Sequence, residues 1–342
     1  MTPEQKLKAQ NMLIIVGISL LFGLLYNYLF YPHTVTEFVE ASVISILIGL
    51  VVGIVEEYIL VKSIKRRSFL TVSFVRTVLY TLVTTVILCL VLSIEITYIE
   101  QLSYTEAILK YAKSPLFKRD FIFTFCFIAL ILFIFQIIVL IGRGNFLRLI
   151  IGRYHQPSEV SRIFMFVDLK GSTSIAEQLT NKQYSAFIKD YFYDISDAIN
   201  MYSGEIYQYV GDEIAVVWPI RKNNANCIKS FFKMKAIIAS KKEAYIKKYG
   251  LVPIFKAGIH VGSVILTSVG KQKKELVYHG DVLNTTSRIE GKCNELDQQL
   301  LISQDLIDIL NLDDDYEIKE KGEIELRGKA AKLSLYGIDQ KL

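Results

Sequence analysis

Asp168 closes the apolar run RIFMFVD, and Asp212 stands at the Gly-Asp-Glu corner of YQYVGDEIAVVWP, residues 207–219. A continuous apolar run of this length reads as a central strand whose last residue emerges at a sheet edge. Two apolar stretches around a glycine corner read as a hairpin. If the two strands are neighbours, both carboxylates reach one point, and paired oxygen donors suit hard divalent cations that bridge to phosphates. Taken singly, each aspartate is more often a plain turn former.

Three further stretches add to that pair. After Asp168 comes LKGST, residues 169–173, where a glycine followed by small residues at a helix start offers backbone N–H groups to a phosphate chain. In DVLNTTSR, Asn284 and Arg288 are four residues apart on one helical face, so an amide and a guanidinium project side by side. That pair fits charge developing on a transferring phosphoryl group, with a solvated helix face as the alternative. In ELRGKAAKLSLYGI, Arg327 precedes a glycine between two strands, either to touch a terminal phosphate or to form a simple turn.

The elements that must position these residues follow from periodicity. RIFMFVD is a strand, GSTSIAEQL opens a helix, and the apolar positions from Tyr184 keep a 3.6-residue period through one long amphipathic helix. The hairpin comes next, then a Lys-rich helical stretch over residues 224–248, a strand in PIFKAGIHVGSVIL and a polar break at GKQKKE. DVLNTTSRIEGKCNEL reads as a helix, QLLIS as a strand, and EIELRGK with LSLYGI as a closing strand pair. The order predicts an α+β, ferredoxin-like βαββαβ core with additions. Glu213, next after Asp212, is expected on the opposite face, and His260 in GIHVG as a structural histidine.

The chain has 342 residues, a net charge of +5 and 52% hydrophobic residues, too apolar for an ordinary soluble domain. Charge-free runs at residues 11–30, 41–55, 77–94 and 121–142 predict an α-helical membrane domain of four transmembrane helices over residues 1–142. A linker or transmitting helix is expected over 143–158 and a catalytic-sized domain over 159–342. Lys6, Lys8, the loop KSIKRR and Arg143, Arg148 and Arg153 share one side, against Lys110, Lys113, Lys118 and Arg119 on the other. That imbalance predicts a multi-pass cell-membrane protein with its N-terminus and soluble domain in the cytoplasm. Residues 93–120 are expected as a loop, and an ion pair between Glu56 or Glu57 and Arg76 would ease their placement in the bilayer. The four cysteines have no CxxC spacing, and no basic and aromatic stripe suggests a nucleic-acid partner.

FVDLKGST, YVGDE, LNTTSR and LRGK, in this order over about residues 160–340, resemble the motifs of the class III nucleotidyl cyclases, the adenylyl and guanylyl cyclases. The resemblance implies that Asp168, Leu169 and Asp212 hold two Mg²⁺ or Mn²⁺ ions per site. It implies that Asn284 and Arg288 are catalytic and that Lys170, Gly171, Ser172, Thr173 and Arg327 bind phosphates. It further implies a nucleoside triphosphate substrate and a homodimer, since sites of this family form between two catalytic domains. Gln208 and Val277 occupy the base-reading positions, where adenylyl cyclases usually carry Lys and Asp or Thr. Valine cannot hydrogen-bond a base and a glutamine amide both donates and accepts, so ATP is expected on family frequency, with GTP, UTP or CTP open. The hairpin also resembles that of diguanylate cyclases, but Val210 stands where their first glycine would, and Asn284, Arg288 and Arg327 have no role there. A silent, dimerising signalling domain is the other alternative.

Overall fold

The computed structural model describes residues 3–31, 33–56, 69–141, 156–221, 224–271, 275–310, 312, 315–325 and 332–341. The chain divides into two compact units, Met1–Ile141 and Gly142–Leu342.

The first unit is helical: α1 (Pro3–Phe30), α2 (Val35–Ile54), α3 (Phe69–Glu100), α4 (Tyr104–Lys113) and α5 (Pro115–Ile141). Four of them contain segments long and apolar enough to cross a membrane: Lys8–Phe30, Val35–Ile54, Thr71–Glu100 and Pro115–Ile138. The expected loop over residues 93–120 is instead mostly helix. Helix α3 runs on to Glu100, and α4 starts on a capping box in which the Ser103 side chain accepts from the Glu106 backbone N–H and Glu106 accepts from that of Ser103. Helix α4 buries Ala107 and Tyr111.

Among the described residues, ion pairs lie near the span ends. Asp120 is buried and accepts from the hydroxyls of Tyr26 and Tyr111, the latter at 2.7 Å. Arg119 Nε lies 3.1 Å from Asp120, and its guanidinium sits 5.0 to 5.5 Å from the ring centres of Phe30, Tyr31 and Tyr26. Arg76 meets Glu56 at 2.8 Å, and the Tyr80 hydroxyl donates to the same carboxylate. The ion pair expected of Arg76 is therefore made with Glu56; Glu57 lies outside the described residues.

The second unit is built on one sheet. Its elements are β1 (Ser158–Leu169), α6 (Ser172–Gln178), α7 (Asn181–Met201), β2 (Glu205–Val210), β3 (Glu213–Pro219), α8 (Asn226–Ser240), α9 (Lys242–Tyr249), β4 (Phe255–Val269), β5 (Glu275–His279), α10 (Asp281–Gly291), β6 (Leu300–Ser303), α11 (Gln304–Ile307), β7 (Tyr316–Glu325) and β8 (Lys332–Gln340). The strands order as β2-β3-β1-β4-β6-β8-β7, with β5 paired to the far half of β4. The first four are the expected ferredoxin-like core, and β5 is a strand within the stretch read as a polar break and its sequel. The helical stretch over residues 224–248 is two helices, α8 and α9.

Strand β1 is apolar on both faces because both are covered. Ile163, Met165, Val167 and Leu169 pack on Phe187, Tyr191, Ile195 and Ile199 of α7, while Phe164 and Phe166 pack on the other side with Val264, Tyr278 and Val282. Helix α10 lies close on that second side. A β-carbon at Gly258 would fall 2.3 Å from the Glu290 backbone nitrogen, and one at Gly262 would fall 2.6 Å from Val282 Cγ2.

Candidate active site

The site begins with strand register. Asp168 near the end of β1 pairs with Glu213 on β3 and with Lys256 on β4, so three ionisable side chains share one row. Directly opposed residues in antiparallel strands point to the same face. That face carries Phe166 and α10. Asp212 belongs to the two-residue turn between β2 and β3, where Gly211 has φ +63°, the sign that a type II′ turn requires at its first position. The turn directly precedes Glu213, the register partner of Asp168, and so brings Asp212 near enough for its charge to raise the Asp168 pKa.

Glu213 does not face away from these groups, contrary to the strand-alternation argument. Alternation counts from residues inside the strand, and Asp212 is in the turn. Glu213 therefore follows its register partner Asp168 and joins the acidic group. From above the row, Glu290 of α10 reaches Lys256, whose Nζ is 2.7 Å from Glu290 Oε1 and 3.5 Å from Asp168 Oδ2. Glu290 and Lys256 are both buried. Neither was marked by motif, although a lysine inside the buried run FKAGIHVG signals a paired charge.

The electrostatics follow from crowding. Burial, then Glu290 and Asp212, push the Asp168 carboxyl up to about 6 against the opposing pull of Lys256. Burial, then Glu290, Asp168 and Asp212, raise Glu213 to about 7. Burial opposes the charge on Lys256, but Glu290 and Asp168 outweigh it and raise its pKa. On α7, Tyr184 and the fully buried Tyr191 are raised by burial and then by the same two aspartates, and the Tyr191 hydroxyl has no hydrogen-bond partner among the described residues. Asp168, Asp212, Glu213 and Glu290 against Lys256 make four carboxylates for one ammonium. Such a donor set fits hard divalent cations. Among the described residues no three acidic, His or Cys side chains are already gathered as a metal cage, so the candidate protein ligands are the Asp168–Asp212 pair.

The remaining expected residues fall at distinct places. Lys170, Gly171 and Thr173 are exposed and Ser172 is half-buried, at the start of α6. Gly171 takes the left-handed conformation, φ 73° and ψ 28°, and no side chain caps the helix there. Leu169 is buried, with its backbone one residue beyond Asp168. Asn284 is exposed and Arg288 half-buried, on the side of α10 away from Val282, Thr286 and Glu290, which face the sheet. One chain thus presents these two residues outward, on the far side of the helix from Glu290 and its contact with Lys256. Gln208 is exposed on edge strand β2, opposite Ala215, after a bulge. Val277 is half-buried on β5, opposite Thr267. Their chain neighbours meet: the Tyr278 backbone N–H donates to the Tyr207 hydroxyl at 3.3 Å. Arg327, and all but the last three residues of the expected linker helix, lie outside the described residues. His260 is structural as expected, its Nδ1 2.8 Å from the Ser303 hydroxyl.

Residues 154–340 match the family described as the adenylate and guanylate cyclase catalytic domain. The chain is 35% identical over 210 residues to Adenylate cyclase 2 of Rhizobium meliloti, covering 61% of this chain and 58% of that protein. It is 25% identical over 184 residues to the receptor-type guanylate cyclase gcy-28 of Caenorhabditis elegans, covering 53% of this chain and 14% of that one. Among solved structures, the adenylyl cyclase CyaB from P. aeruginosa aligns with a TM-score of 0.48 at 18% identity, over 55% of this chain and 97% of that one. The chain therefore spans little more than half the length of the first of these relatives.

Proposed function

The chain belongs to the adenylate and guanylate cyclase catalytic-domain family, and from that premise we propose that it is a membrane-anchored nucleotidyl cyclase. It converts a nucleoside triphosphate, ATP first, to the 3′,5′-cyclic monophosphate and pyrophosphate for second-messenger signalling. The ribose 3′-oxygen bonds to the α-phosphorus, the bond from that phosphorus to the β-bridging oxygen breaks, and the hydroxyl proton leaves to solvent. The observation that carries this reading is the Asp168–Asp212 pair, brought together by the β1–β3 register and the turn at Gly211, in a carboxylate-rich row inside the family region.

In this reading Asp168, the backbone of Leu169 and Asp212 hold two Mg²⁺ or Mn²⁺ ions. Bound there, the ions would acidify the 3′-hydroxyl and offset triphosphate charge. Asn284 orients the ribose and Arg288 meets charge that grows at the α-phosphate. Backbone N–H groups of Gly171, Ser172 and Thr173, together with the side chains of Lys170 and Arg327, meet the outer phosphates, while the Lys170 N–H is held by the Ile254 carbonyl at 2.7 Å. The outward position of Asn284 and Arg288 supports a homodimer in which each chain supplies them to the other's aspartates. Gln208 and Val277 face the base, and the amide of Gln208 can serve adenine or guanine. The spans anchor the protein, with its N-terminus and catalytic unit on the cytoplasmic side.

The test uses purified full-length protein with Mn²⁺ and each of the four nucleoside triphosphates. Cyclic AMP as the main product supports the assignment; cyclic GMP moves the base reading, and a cyclic dinucleotide or no product overturns it. Mixing inactive Asp168→Ala and Asn284→Ala chains should restore activity. Failure to recover removes the shared site.

A further inference from the structure

Lys256 has no part in the reaction just derived, yet its ammonium sits among the carboxylates of the site. Its two contacts are unequal, 2.7 Å to Glu290 and 3.5 Å to Asp168, and the shorter one is to α10 rather than to the strand end that would hold metal. The Lys256 side chain is 10% exposed and that of Glu290 is 9%, so bulk water replaces neither partner. A lone ammonium at this depth is unfavourable, and the two carboxylates together keep it charged. A divalent cation arriving at Asp168 brings like charge to within a few ångström of Lys256, and both cannot own the same oxygen.

We propose that Lys256 is a positioning residue that stands in for the cation at Asp168 and withdraws onto Glu290 when a divalent ion binds. This rests on the metal-binding reading of Asp168 and Asp212. The arrangement makes the two members of one ion pair act in opposite directions. Removing the ammonium frees Asp168 for metal. Removing Glu290 leaves Lys256 with Asp168 as its one remaining carboxylate contact and also takes a negative charge from the region, so both effects weaken metal binding. A merely structural ion pair predicts the same direction for both, since either loss would loosen the site.

The experiment is Mn²⁺ binding to the full-length chain in detergent micelles without nucleotide, read from loss of the free-Mn²⁺ electron paramagnetic resonance signal. It is run at about pH 8.5, above the ordinary carboxyl range. Lys256→Gln should bind Mn²⁺ roughly tenfold more tightly and Glu290→Gln roughly tenfold more weakly, the scale of one partly buried charge at short range. Lys256→Arg keeps the charge and should stay within about twofold of the parent. Unchanged or weaker binding in Lys256→Gln, or unchanged binding in Glu290→Gln, overturns the proposal. Should Lys256→Gln not fold, Lys256→Met, which removes the ammonium at similar volume, takes its place, with the same tighter binding expected and the same outcomes overturning the proposal. If the parent shows no Mn²⁺ binding that Asp168→Asn abolishes, the metal reading fails and takes this role with it. Asp168-dependent binding that neither variant moves defeats the role of Lys256 alone.

Discussion

Replacing Gly258 by alanine tests whether the close seat of α10 on β4 positions Asn284 and Arg288. The new β-carbon would lie 2.3 Å from the Glu290 backbone nitrogen, 2.7 Å from its Cα and 2.8 Å from the Thr286 carbonyl oxygen. All three are helix atoms other than flexible side-chain tips, so rotation of one bond cannot relieve them. The shortest falls about 1 Å inside the 3.4 Å onset of ordinary contact, so α10 must move outward by a comparable distance. Overpacking of this kind lowers stability by about 1–3 kcal/mol. A displacement of about 1 Å at transition-state groups lowers turnover by about a hundredfold. Gly262→Ala supplies the control, because its one clash, at 2.6 Å, is with a side-chain methyl, Val282 Cγ2, and not with the helix backbone. Thermal unfolding and cyclic nucleotide formation at saturating Mn²⁺ and ATP read the two effects separately. Parent-like unfolding and turnover in Gly258→Ala, or a larger loss in Gly262→Ala, would refute the reasoning.

Two further outcomes follow from the charges. Asp168 and Glu213 are raised to about 6 and about 7, so between the ordinary carboxyl value near 4 and those values the folded chain holds protons that the unfolded chain has released. Their contribution to stability therefore declines as pH rises from about 4 to about 7, and Mn²⁺ or Glu213→Gln should flatten that decline; a parent slope that neither treatment changes contradicts the assignment. In the membrane unit, Glu56→Lys and Arg76→Glu should each lower thermal stability by about 2 kcal/mol or more, and the double exchange should recover a substantial part of it. No recovery would mean that the 2.8 Å pair does not hold α2 to α3.

The parts of this fold that were legible in the sequence are those where burial writes a period. The run RIFMFVD, the hairpin around Gly211 and the long α7 pattern emerged from apolar spacing, and the shared helical face of Asn284 and Arg288 from their four-residue separation. Register is not written that way. Lys256 and Glu290 join Asp168 only because β4 pairs with β1 and α10 crosses above, contacts between residues far apart in sequence. Glu213 was placed on the wrong face because counting started in a turn. Strand β5 escaped because it is five residues long and follows a polar break. Helix α4 carried its own signal, the Ser103 and Glu106 capping box, but scattered charges made that segment read as loop.

If each site is shared between two chains, as proposed, the outward orientation of Asn284 and Arg288 would make crowding a control variable for the enzyme. A solitary subunit would be mute, and at low surface density output would rise with the square of the number of molecules per unit of bilayer area. Gathering existing copies into a patch would then amplify the signal without new synthesis, and dispersing them would extinguish it.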